Sequence, residues 1–329
     1  MNIKRIQEIL KRREVTLIGL ILLLAAAVSL RAPAFLSWGN LNDILNDTAI
    51  LVMMGLAQYL IILTGGIDLS VASIMGLSGM CAAMLNKMDP TMPIPVVVLV
   101  ALGAGLALGA LNGTLVGWAG ISSIIATLGT ISIYRGAVFL LSGGQWISAH
   151  EMTEGFKLIP DAKFFGIAAI VWYMALVVVL FGVFMTMTKA GRQIYAIGGN
   201  KTAAQYVGIS EKKVNFLVFS LSGLVSGFCG LLYVARYAAA QNDTAVGFEL
   251  STVAACVIGG VSIAGGSGTV GGVVLGAVFL GIINNALTVV NLSPFYQMAI
   301  QGVVILTAIL ANVILAQRAE KQALARRSI

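Results

Sequence analysis

About ten apolar runs occupy this chain, at residues 15–30, 48–64, 70–85, 94–119, 121–141, 166–187, 214–235, 248–264, 272–290 and 296–315. A bilayer core ~30 Å thick is crossed by roughly 20 helical residues. Inside it only helices and closed barrels pair every backbone N–H and C=O. The runs therefore predict an all-α integral membrane protein with about ten transmembrane helices. Several runs are short, and glycine pairs interrupt two of them, at Gly65 and Gly66 and at Gly259 and Gly260. Irregular backbone persists in a membrane only where protein or water pairs with it, so these breaks point to a polar path. The boundary between 94–119 and 121–141 is the least distinct. Only 10% of residues are charged, where a soluble domain has about 25%; the spanning helix, not the soluble domain, is the unit of organisation.

Basic residues orient the helices. Fourteen of the 20 lysines and arginines fall in three places. They are the N-terminus (Lys4, Arg5, Lys11, Arg12, Arg13), the loop 188–213 (Lys189, Arg192, Lys201, Lys212, Lys213) and the C-terminus (Arg318, Lys321, Arg326, Arg327). Ten crossings put all three on one side, which the positive-inside rule makes cytoplasmic. The expected plan is a basic cytoplasmic tail at 1–14, a transmembrane domain at 15–315 and a second basic tail at 316–329. The loop 142–165, with no basic excess, faces outside. The net charge of +7 thus reflects topology and suits anionic lipid of the inner leaflet, not nucleic acid. The first run reads as a retained span, since no clear small-residue cleavage site follows it and Arg31 interrupts the apolar sequence.

Catalytic and nucleotide-binding chemistry find little support. Cys81, Cys229 and Cys256 sit in apolar runs without a C-x-x-C pair, and His150 is the sole histidine, so no metal site is expected. The stretch GSGTVG (266–271) fits a dinucleotide fingerprint by letters alone. It lacks both the β-α-β context and the acid about 20 residues on that would hold a ribose. No G-x-x-x-x-G-K-[ST] occurs, so no ATP cradle and no bound cofactor is expected in this chain.

Packing and path candidates are more distinct. Gly105, Gly109, Gly113 and Gly117 share one helical face, which lets another backbone approach closely; Gly268, Gly272 and Gly276 repeat the device. The stretch at 65–76 weakly resembles that at 259–272, as an internal repeat would. Asn112 beside the glycine face either bridges helices or faces a solute. Asp68, with Ser70 and Ser73 after it, follows the first glycine pair; it caps the next helix, lines a path, or both. Arg135 either snorkels to the interface or pairs inward, with Asp68 as a partner. Thr127, Thr130 and Tyr134 lie three or four residues apart on one face. Asn284, Asn285 and Gln301 add amides to the late spans. Neutral donors and acceptors with an aromatic ring suit a sugar.

The segment GRQIYAIGGNKTAAQYVGIS (191–210) is patterned unlike the rest. Gly198 and Gly199 are expected to turn the chain, Asn200 to cap a helix over 202–207, and Gly208 to stop it. So short a helix is marginal alone. Ala203, Ala204, Tyr206 and Val207, flanked by Lys201, Lys212 and Lys213 and preceded by Arg192, therefore suggest a docking knob. A transporter without a motor could borrow one through it. The rival from residues alone is an ion-driven secondary transporter, for which only Asp68 and Arg135 offer a titratable relay.

The motifs LTGGIDLSVAS, LNGTLVGWAGISSIIATLGTISIYRG, GRQIYAIGGNKTAAQYVGIS, VIGGVSIAGGSGTVGG and NLSPFYQMAIQGVVIL occur in an order that resembles the permease subunits of ribose-type carbohydrate-uptake ABC importers, over roughly 15–315. That resemblance implies a permease dimer, homomeric or mixed, in a bacterial inner membrane. It also implies a cytoplasmic ATPase carrying Mg-ATP and a periplasmic sugar-binding protein. Residues 191–209 would correspond to the loop that couples to the ATPase. The chain departs from the family pattern at Ser122, Ser123 and Ile124, where two prolines and an aromatic are usual, and at Ala72, where glycine is usual. GGQWISAH, VARYAAAQNDTAVGFEL and AACVIGGVSIAGG look closest to rhamnose-type permeases, with autoinducer-2 permeases similar through the same region.

Overall fold

The structure, a computed structural model, describes residues 13–290 and, beyond them, positions 292, 293, 296, 297, 299, 300, 302–304, 306, 307 and 310. It is all-α but for one two-residue β-hairpin, Lys163–Phe164 with Ile167–Ala168. Among the described residues, eight helices are long and apolar enough to cross a membrane. They are α1 (Arg13–Arg31), α2 (Trp38–Leu63), α3 (Val71–Met88), α4 (Ile94–Gly117), α5 (Ser123–Ser142), α7 (Ala169–Met187), α10 (Glu211–Tyr237) and α12 (Val270–Val289). The shorter α11 (Phe248–Ile258) fills the run expected at 248–264 and stops at its glycine pair. Half of the run at 296–315 lies outside the described residues, as do most of both tails.

Three boundaries differ from expectation, each for a physical reason. Helix α2 starts ten residues before the apolar run at 48. Its first turns hold Asn40, Asp43 and Asp47, whose polarity disguises them. Asn40 and Asn285 of α12 exchange two amide hydrogen bonds, both 3.0 Å, and Arg236 of α10 donates to Asp47 at 2.6 Å. The loop at 188–213 is itself helical, as α8 (Lys189–Gly199) and α9 (Lys201–Tyr206). Gly198 and Gly199 close α8 and do not turn the chain; the turn is made by extended Asn200. Within 142–165 a further helix, α6 (Glu154–Asp161), packs Phe156 inward. The indistinct boundary is real: α4 ends at Gly117, and Gly120 adopts a positive φ before α5 begins.

Helix α2 forms the centre, with 89% of its apolar window buried. Helices α10, α11, α12 and α7 pack around it. The outer helices α1, α5 and α7 present Leu23, Leu140, Val179 and Leu180 outward, as lipid-facing surfaces do. Helix α10 packs most extensively along α4, and glycine allows it. A Cβ on Gly113 would stand 2.9 Å from the Phe216 Cα, and one on Gly117 2.7 Å from the Lys212 carbonyl oxygen. Midway, Gly105 and Gly109 face Gly223 and Gly227 backbone to backbone. The second glycine set behaves differently: Gly272 and Gly276 fit α12 against Gly259 and Ala255, whereas Gly268 lies in the loop ahead of α12.

Candidate functional site

Between α2 and α3 the chain runs extended for a few residues, and its backbone groups need partners from elsewhere. Side chains supply them. Ser123 Oγ accepts from the Ile67 N–H at 3.1 Å, and Thr127 Oγ1 from the Leu69 N–H at 3.2 Å. The Gln58 amide of α2 pairs with both the N–H and the C=O of Asp68, each at 3.1 Å. Asp68 Oδ1 accepts from the Ser70 N–H at 2.7 Å and from Ser70 Oγ at 2.6 Å. Asn112 of α4 donates to Ser70 Oγ at 2.7 Å, and Tyr134 of α5 donates to Asn112 Oδ1 at 3.0 Å and to the Leu108 carbonyl at 2.9 Å. Gln58, Asp68, Ser70, Asn112, Thr127 and Tyr134 are buried, and Ser123 is half-buried.

Several candidates named from the sequence therefore converge: Asp68, Ser70, Asn112, Thr127 and Tyr134 form one network, with Ser73 and Thr130 bonded to carbonyls beside it. Asp68 holds the turn before α3, while Ser70 occupies the capping position itself. Asn112 bridges three elements. Arg135 does not reach Asp68. Its Nη1 donates instead to the Thr244 carbonyl at 2.6 Å, across the space left open by Gly76. Asn285 is engaged with Asn40, and neither it nor Asn284 joins the network. Gln301 lies outside the described residues. Gln58 escapes a reading of the sequence because one amide in an apolar run carries no local signal. Among the described residues, no group of three or more His, Cys, Asp or Glu could hold a metal ion.

Two cavities flank the extended segment. One, of about 710 Å³, is lined by Thr64, Gly65, Gly66, Ser123, Lys201 and Lys212, at the end of the bundle that carries α8 and α9. The other, of about 580 Å³, is lined by Leu69, Ser73 and Arg135 toward the opposite end. Ile67 and Asp68 lie between them in sequence, pinned to α5 and α2 by the bonds above. The segment, here the partition, thus gives Gly65 and Gly66 to one cavity and Leu69 to the other.

A junction of backbones joins this partition to α8. The Gly266 N–H donates to the Leu63 carbonyl at 2.9 Å, so the loop between α11 and α12 touches the end of α2. Gly198 is wedged against both: any Cβ there would overlap the Leu63 carbonyl oxygen and stand 2.9 Å from the Gly266 Cα. Tyr195 of α8 adds a side-chain tie, 2.6 Å from the Tyr59 hydroxyl and donating to the Gly268 carbonyl at 2.8 Å. The two breaks that resemble each other in sequence therefore meet, and α8 sits on their meeting point. Tyr59 and Tyr195 are far apart in the chain, and nothing in the sequence pairs them.

Helix α9 extends from this junction. Asn200 Oδ1 accepts from the Ala203 N–H at 2.9 Å, capping it, and Gly208, at positive φ, ends it. Ala204 is buried inward, while Ala203, Tyr206 and Val207 are exposed, with Tyr206 at 88%. Arg192 is exposed and donates to the Met187 carbonyl at 3.4 Å, closing the end of α7. Tyr206 ends this six-residue helix and Val207 follows it, and neither side chain is covered.

Residues 40–309 match the protein family described as "Branched-chain amino acid transport system / permease component". The ribose import permease protein RbsC of Escherichia coli (strain K12) is 36% identical over 294 residues, covering 89% of this chain and 91% of that protein. RbsC of Haemophilus influenzae is also 36% identical over 294 residues, covering 89% and 90%. The autoinducer 2 import system permease protein LsrC of Salmonella typhi is 35% identical over 295 residues, covering 89% and 84%. No solved structure matches the chain.

Proposed function

Since the chain belongs to the family of branched-chain amino acid transport system permease components, we propose that it is the membrane-spanning subunit of an ATP-driven importer in a bacterial inner membrane, carrying a neutral sugar or sugar-like solute. The observation that carries this reading is the direct packing of α8 onto the ends of both broken helices, with the exposed α9 beyond it. A push on α9 from the cytoplasm reaches the partition through backbone contacts, without passing through flexible side chains. The fuel would come from a cytoplasmic ATPase seated on Ala203, Tyr206 and Val207. A periplasmic binding protein would deliver solute at the other end, and a second permease, a copy or a relative, would complete the pore. On this reading both basic tails, 1–14 and 316–329, are cytoplasmic, as is the α8–α9 segment. Mg-ATP would stay on the ATPase.

For the solute, ribose and autoinducer 2 take precedence over the rhamnose suggested by motif likeness, because the relatives are named for the former two. The ion-driven alternative loses its relay, since Arg135 bonds to Thr244 and not to Asp68. The deciding experiment reconstitutes the chain in liposomes with and without its ATPase and binding protein, using radiolabelled ribose, autoinducer 2, rhamnose and leucine. ATP-dependent uptake of a sugar-like solute should require all three components. Uptake of leucine alone, or accumulation by the chain by itself under a proton or sodium gradient, overturns the reading.

The partition has its own test. Thr127→Val removes the acceptor for the Leu69 N–H, and an orphaned buried donor costs about 1–3 kcal/mol. With Ser123→Ala added, the segment should leave its closed position about tenfold more often or beyond. Nucleotide-free exchange of labelled ribose across proteoliposomes should rise accordingly. Exchange no faster than in the parent protein would remove the segment from the gate.

A further inference from the structure

The cavity of about 580 Å³ at the end away from α8 and α9 carries chemistry that the partition does not use. Its volume lies within the ~300–1,000 Å³ usual for small-molecule sites. Arg135 commits Nη1 to Thr244 and keeps its other N–H groups free to donate. Asp243 and Glu249 line the same space and act on the guanidinium through their charge, yet neither closes on it as an ion pair among the described residues. Glu249 Oε2 is shut away from solvent and accepts no hydrogen bond among the described residues. Burying a carboxylate oxygen without a donor is costly, so this atom marks a place where a donor belongs. Trp146 stands at the rim with over half its surface open. Leu69 of the partition and Ser73 of α3 line it as well.

We propose that this cavity is a solute-binding site of the permease, built for a neutral monosaccharide ring; the proposal rests on the importer reading above. Glu249 and Asp243 accept from ring hydroxyls, Arg135 donates to a ring or hydroxyl oxygen, and Trp146 covers the apolar C–H face. Two carboxylates against one guanidinium leave an excess negative charge that repels an anionic sugar, while the guanidinium disfavours a cation. A sugar released from a binding protein would rest here, against the Leu69 N–H that Thr127 holds, before the partition opens.

Saturation-transfer NMR on the chain in nanodiscs tests it, with D-ribose and L-rhamnose as probes and ribose 5-phosphate as the anionic control. Transfer to the C–H protons of a neutral sugar is expected, and none to the phosphate. Glu249→Gln, of equal size, should weaken apparent affinity about tenfold. Trp146→Ala should abolish transfer and Trp146→Phe restore it; Trp146 is exposed, so neither change threatens folding. No transfer to either neutral sugar, equal transfer in Trp146→Ala, or preference for the phosphate overturns the site. If the assembled importer still takes up sugar under any of those outcomes, the importer reading survives and the site alone is lost. If the assembly moves no sugar while the chain binds one, the site stands and the importer reading falls.

Discussion

Gly198→Val is expected to abolish ATP-driven uptake while leaving the chain inserted in the membrane. At this position an added Cβ meets two backbones at once, the Leu63 carbonyl that ends α2 and the Gly266 amide of the loop before α12. Backbone atoms cannot swing aside as a flexible side chain can. Either α8 lifts off or the hydrogen bond between Gly266 and Leu63 breaks. Overpacking typically costs 1–3 kcal/mol, and rigid neighbours put this case at about 3 or more. Helix α8 lies at the end of the bundle, and spans α2 to α7 and α10 to α12 keep their mutual packing, so the cost falls on the junction. The expected phenotype is a permease that still co-purifies with its ATPase but couples hydrolysis to transport at under about a tenth of the parent efficiency, as a 1.4 kcal/mol change or more would give. The adjacent Gly199, with open space about it, serves as the control: Gly199→Ala should retain uptake. Normal transport by Gly198→Val would show that force does not pass through this contact.

Gly223→Leu should instead destabilise the fold itself. Gly223 faces Gly109 so closely that a Cβ would stand 2.6 Å from the Gly109 Cα and 2.8 Å from its nitrogen. In lipid, helix pairs are held by close packing and not by expulsion of water, so separating α10 from α4 forfeits what joins them. At about 3 kcal/mol or more, the thermal midpoint should fall by several degrees. Size-exclusion chromatography in detergent should show aggregate in place of a monodisperse peak. Gly103→Leu, two residues from the seam with no atom near its added Cβ, should behave as the parent. Equal stability of the two variants would refute the glycine seam.

What could be read in advance follows from the range of the interactions. The spans and the α4 glycine face are local patterns, repeated every few residues, and they stand in the structure where periodicity puts them. Asn200, Gly208 and the short helix between them are likewise local. The first turns of α2 are hidden because Asn40 and Asp47 look like loop residues until Asn285 and Arg236 are beside them. Arg135 could not be aimed from sequence, since its direction depends on the missing side chain of Gly76 and on a carbonyl 109 residues away. Gln58, Tyr59 and Tyr195 leave no trace at all. Their partners are set by the fold and by no local pattern.

The polar opening of α2 has a consequence for how the protein is made. As the nascent chain leaves the ribosome, Asn40 has only the nearby Phe35 carbonyl and Asp47 awaits Arg236, because Asn285 and Arg236 are translated 245 and 189 residues later. The second helix to emerge is therefore the last to be sealed. Until α10 and α12 arrive these bonds cannot form, and a chain ended before residue 236 would leave α2 without either of them.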